Sequence, residues 1–177
     1  MPSGTSHDAI TILLAAPVAV GVYALTRDLP TAVIATIAFI FAGVMFGPDL
    51  DTKSKQYSRW GPFRLIWIPY RTVFRHRSRW SHGLIFGTFF RVVYFLGAAS
   101  VIAFVLFAAY SYGSNGTVPN AATFARGWES MGTMAGAVST LEILLAILLG
   151  MWLGAASHTL TDIAITYIKT GRVDALF

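Results

Sequence analysis

The 177-residue sequence predicts an all-α integral membrane protein. The expected architecture is a bundle of four transmembrane helices, with a basic and aromatic loop lying along the membrane interface between helices two and three. Three observations carry this. Hydrophobic residues make up 55% of the chain and charged residues only 12%, against roughly 25% charged in an ordinary soluble domain. Four apolar runs each come close to, or exceed, the roughly 17 to 25 residues that cross a hydrocarbon core. Nearly all basic residues fall between or after those runs. No repeat divides the chain, so residues 1–177 read as a single transmembrane domain.

The first run, Ala9 to Leu25, lacks the basic stretch that opens a secretory signal and is expected to stay as helix one. In "TSHD" just before it, Thr5 and Asp8 read as a capping box. The second run, Leu29 to Gly47, stops at Pro48, which cannot continue helical hydrogen bonding. In residues 60 to 80, "WGPFRLIWIPYRTVFRHRSRW", Arg64, Arg71 and Arg75 interrupt every long apolar stretch. That predicts a segment lying on the membrane, with Trp60, Trp67, Tyr70 and Trp80 at headgroup level. The third run, Leu84 to Tyr110, leads into a loop from Ser111 to Ala137, and the fourth covers Leu141 to Ile165. Within the fourth, Gly150, Gly154, His158 and Asp162 recur every four residues and share one stripe. Its GxxxG portion lets a neighbouring backbone approach closely.

The net charge of +5 matters less than its placement. Eight of the thirteen Lys and Arg lie between runs two and three, and Lys169 and Arg172 follow run four. Only Arg27 and Arg126 occupy the other two loops. The positive-inside rule then puts both termini and the middle loop on the cytoplasmic side of a bacterial inner or thylakoid membrane. The chain has no cysteine, which excludes disulfides and thiolate metal sites. Nucleic-acid binding is not expected, because the arginines are interleaved with interface aromatics and no recognised nucleic-acid fold accompanies them. Membrane lipids are the expected partners, together with a larger membrane complex in the alternative reading below.

Seven potential ligands fall on the predicted cytoplasmic side: His7, Asp49, Asp51, His76, His82, His158 and Asp162. Imidazoles and carboxylates without thiolates suit a catalytic or dinuclear site better than a closed structural zinc. Each has another use. His158 and Asp162 can join helices by a hydrogen bond, "GPDLD" suits any helix-ending turn, and His76 and His82 can sit solvated in a basic loop. Arg75, Arg77 and Arg79 offer planar forks for lipid phosphate, although topology and snorkelling account for most of them. Arg91, about two turns into helix three, either snorkels back or faces the bundle and pairs with a carboxylate or a substrate phosphate.

The early histidine, "PDLD", "HRSRWSH" and "SHTLTD" together resemble the membrane-bound metal-dependent hydrolases. They are closer still to a cyanobacterial-type branch described as metal-binding proteins. The resemblance places His7 in the first motif, Asp49 and Asp51 in the second, His76 and His82 in the third, and His158 with Asp162 in the fourth. Ser81, Gly83 and the His76 to His82 spacing depart from the family pattern, which bears on catalysis more than on metal binding. The expected cofactor is one or two divalent ions, zinc first and iron or manganese as alternatives. Two ions could share a bridging carboxylate, and Asp51 could serve as general base. The expected function is metal-dependent hydrolysis of a phosphorylated lipid or similar amphiphile at the cytoplasmic interface. The alternative is a non-catalytic membrane subunit or assembly factor with a structural metal or docking loop.

Overall fold

The computed structural model describes residues 4–74, 76, 78–138 and 140–171, and the described residues form helices and turns without strands. α1 (Gly4–Thr26) and α2 (Leu29–Val44) are joined by a two-residue reversal. Arg27 adopts φ 56 there, a left-handed conformation uncommon outside glycine, and Asp28 caps α2 by accepting the Thr31 N–H at 2.9 Å. α2 stops before Pro48, and Pro48–Asp51 tightens into a 3-10 turn. The polar connection folds as α3 (Lys55–Arg59), a 3-10 stretch over Gly61–Trp67, α4 (Ile68–Val73) and α5 (Arg79–His82). The long helices α6 (Phe86–Asn115), α7 (Ala121–Val138) and α8 (Leu141–Thr170) follow.

Four helical stretches are long and apolar enough to cross a membrane: Gly4–Thr26, Leu29–Asp51, Phe86–Asn115 and Leu141–Thr170. They correspond to the four runs read from the sequence. The tightest packing joins α2 and α8, and its cause is the glycine stripe. A methyl group at Gly150 would overlap the Ala35 carbonyl, and one at Gly154 would overlap the Phe39 carbonyl. With both glycines present, α8 lies directly on the α2 backbone along Ala35, Ala38 and Ala42. α1 closes on α2 in the same way, with Thr11 seated over Gly43.

Three expectations are revised. Trp67 and Tyr70 are not headgroup anchors; they are fully buried with Phe46 and Leu50 beneath the end of α2. Trp67 packs edge-on to Phe46 at 5.4 Å and to Tyr70 at 5.7 Å. Trp60 donates its indole N–H to the Met45 carbonyl at 2.9 Å. Burying aromatic area there outweighs what the rings would gain at a lipid interface, and it pins the polar connection over the α2 terminus. Trp80 stays exposed, as expected. Second, Thr5 and Asp8 are not a capping box, because α1 already includes Gly4. Asp8 instead receives Arg59 and Lys55, the latter at 2.8 Å. Third, the stretch read as a loop over Ser111 to Ala137 carries most of α7. Gly116 ends α6 in the left-handed conformation, and Asn120 caps α7 by accepting the Thr123 N–H at 2.8 Å.

Candidate metal centre

α1 contributes His7, the turn after α2 contributes Asp49 and Asp51, the segment around α5 contributes His76 and His82, and α8 contributes His158 and Asp162. His158 lies roughly 25 Å along α8 from Leu141 at 1.5 Å per residue. The structure brings all seven together in two adjoining groups: His7, His158 and Asp162, and Asp49, Asp51, His76 and His82. Within each group one ligand atom per residue lies within 4.8 Å of the others.

In the first group His7 and His158 stack ring on ring, with centroids 3.7 Å apart and planes 8° from parallel. Asp162 faces His7 Nε2 at 3.3 Å and His158 Nε2 at 3.9 Å. In the second group Asp51 is completely covered, and its two oxygens meet His76 Nδ1 at 2.9 Å and His82 Nδ1 at 3.4 Å. Asp49 stands between the groups. Its Oδ1 is 3.5 Å from His82 Nε2, and its Oδ2 is 3.3 Å from His158 Nε2.

A supporting layer fixes Asp49, and sequence reasoning missed it. Gln56 accepts the Asp49 N–H on Oε1 at 3.2 Å and donates from Nε2 to the Gly43 carbonyl at 2.8 Å. The same Nε2 lies 3.3 Å from His158 Nδ1. Ser54 donates to the Asp49 carbonyl at 2.8 Å while its oxygen caps α3 through the Tyr57 N–H. The Ser-x-x-Tyr spacing marks that cap; nothing in the sequence marks Gln56. Gly47 carries a second requirement, since a Cβ there would run into the Gln56 amide.

The donor set fits a cation. His7 Nδ1, His82 Nε2, His158 Nε2 and Asp51 Oδ2 are buried and without a hydrogen-bond partner. An unsatisfied buried polar group costs roughly 1–3 kcal/mol, so four in one cluster call for a further partner. Each of the three carboxylates faces at least one histidine nitrogen. The nearby Lys55 and Arg59 are committed to Asp8, which holds the Arg59 guanidinium above its ordinary pKa through their hydrogen bond. Burial alone would lower the His82 pKa, but the Asp49 and Asp51 carboxylates facing its two ring nitrogens outweigh it and raise the pKa above the usual imidazole value.

Arg91 does not snorkel. It is buried and donates to the Ser81 carbonyl at 2.7 Å and to the Thr88 hydroxyl at 3.2 Å, so its immediate role is to hold the α5 segment against α6. Arg75, Arg77 and the side chain of Arg79 lie outside the described residues. Asp51, expected as general base, has no exposed oxygen; within its group the reachable side chains are Asp49, 23% exposed, and His76, 38% exposed.

A family model, DUF2227, described as an uncharacterized metal-binding protein, matches residues 2–172. The chain belongs to this family. No curated protein and no solved structure matches it. Membership in DUF2227 makes it a metal-binding protein, in agreement with the convergence of histidines and carboxylates. Hydrolysis is not part of the family's description, so the reaction implied by the resemblance rests on the chemistry of the cluster.

Proposed function

We propose that this chain is an integral-membrane, metal-dependent hydrolase of a phosphorylated lipid or similar amphiphile, working where the helix bundle meets the cytosol. The observation that carries the reading is the position of the ligand cluster. It sits at one end of the apolar helices, under a polar lid, with Asp49 and His76 open to solvent. A recess of about 190 Å³ lined by His7, Asp49, Lys55, Gln56 and His158 reaches it. An apolar cleft of about 520 Å³ runs between α1 and α8 along Ile10, Leu14, Leu153, Leu160 and Thr161, with Ile10 one turn from His7 and Thr161 next to Asp162 in sequence. A headgroup would enter the recess, and the cleft would suit an acyl chain.

Bound divalent ions supply Lewis acidity, acidifying water and stabilising negative charge on a phosphoryl oxygen. The chain's own residues do the rest. His7, His158, Asp162, Asp49, Asp51 and His82 would hold the ions, and Gln56 and Ser54 fix Asp49. His76, hydrogen-bonded to Asp51 and the most exposed ring of the cluster, takes the proton in place of the covered carboxylate. Zinc suits the mixed histidine and aspartate set, and iron or manganese would use the same donors. The test is release of inorganic phosphate from phosphatidic acid by the protein reconstituted in vesicles. Release should need metal and should stop with chelator and in His158→Ala. Metal-loaded protein that releases no phosphate overturns the reading.

A non-catalytic subunit is the second reading, favoured by α7. Among its described side chains, Trp128, Met131 and Met134 are exposed, and the ring of Phe124 against Phe104 of α6 is a lone aromatic link to the rest of the chain. A partner in a membrane complex would cover this surface, and the ion would then only tie the helix ends together.

A further inference from the structure

From the orientation of Asp49 we infer that the centre takes two divalent cations bridged by this one carboxylate, a conclusion that deepens the metal-dependent reading above. The two ligand groups come from different parts of the chain. His7, His158 and Asp162 belong to α1 and α8, whereas Asp51, His76 and His82 belong to the turn after α2 and the segment around α5. Asp49 turns one oxygen to each: Oδ1 to His82 at 3.5 Å and Oδ2 to His158 at 3.3 Å. Its backbone is fixed on both sides, by Gln56 at the amide and Ser54 at the carbonyl, so this two-way aim is built in.

Charge and donor number agree. One tetrahedral ion uses four donors, and seven converge here. The three carboxylates offset three of the four positive charges that two divalent ions bring, and neutral histidines add none. Each group also contributes buried nitrogens without hydrogen bonds: His7 Nδ1 and His158 Nε2 in the first, His82 Nε2 in the second. A single ion would leave one of these sets unmatched.

The experiment is metal stoichiometry on the full-length protein in detergent, stripped with chelator, reloaded with manganese(II), desalted, and analysed by elemental analysis and electron paramagnetic resonance. The wild type should hold two ions per chain with an exchange-coupled spectrum. His7→Ala and His82→Ala should each keep one ion, in different surroundings and with an uncoupled spectrum. Asp49→Ala should lose the coupling. His76→Ala, altering the most exposed ring, provides a folded variant of the second group whose coupled signal should weaken. One ion per wild-type chain, or loss of all metal in His7→Ala and His82→Ala when His76→Ala stays loaded, overturns the bridged pair. These readouts need no substrate. Two coupled ions without phosphate release would sink the hydrolase while leaving the bridged pair intact.

Discussion

His82 has a carboxylate at each ring nitrogen, and that sets a pH dependence. Its folded-state pKa is raised, so in metal-free protein the stabilisation from protonated His82 is fully present below the unfolded value near 6.5 and is lost as pH rises through the higher folded value. Metal must displace that proton. Metal retention after dialysis should therefore fall with acidification, and Asp49→Asn, which removes a ligand, should move the midpoint upwards. Retention that stays flat from about pH 8 to about pH 4 would contradict an ion held by histidines. Gln56 gives a second residue-scale prediction. Gln56→Leu removes the acceptor of the Asp49 N–H and a donor to Gly43, which should cost about 1–3 kcal/mol in thermal or denaturant unfolding and lower metal affinity about 10- to 100-fold. The histidines and aspartates were legible in the sequence because their types and predicted membrane side agreed. Gln56 and the division of the cluster were not, since both depend on which way a turn faces. The covered state of Asp51 was hidden for the same reason: two histidines from a distant segment close over it.

At the scale of the element, the α2 and α8 contact decides whether the two halves of the centre meet. Asp49 follows α2 and His158 belongs to α8, so any displacement between these helices opens the gap between them. Gly154→Leu should cost at least about 1–3 kcal/mol by overpacking against the Phe39 carbonyl and should release metal, whereas Gly97→Ala, at a position facing open space, should leave metal content and melting temperature unchanged. Equal losses in both variants would count against the helix contact as the alignment device. The GxxxG pattern made this contact readable in advance. The fate of the basic segment was not readable, because a row of tryptophans and tyrosines is the same whether it meets headgroups or a neighbouring aromatic cluster; Trp67 and Tyr70 go inside, and Trp80 stays out. α7 escaped because Gly127, Gly132 and Gly136 read as loop signals, yet each faces open space along a helix begun by Asn120.

For the molecule as a whole, the charge asymmetry predicts membrane insertion with the centre on the cytoplasmic side. The lack of native cysteines makes it directly measurable. A single cysteine at Lys53 should react with a membrane-impermeant thiol reagent only when the cytoplasmic face is accessible, and one at Arg126 only from the opposite face. Labelling of both from one side would place the termini and loops differently. The four apolar runs, their order and the shared side of the ligands were legible because length, hydropathy and charge act over whole segments. Finally, the stacked rings of His7 and His158 come from α1 and α8, 151 positions apart (158 − 7). During synthesis the first imidazole must wait for α2 through α7 to be made before its companion exists. Ion capture by that pair thus marks the finished bundle, and a chain halted before α8 would lack the means to keep the cation there.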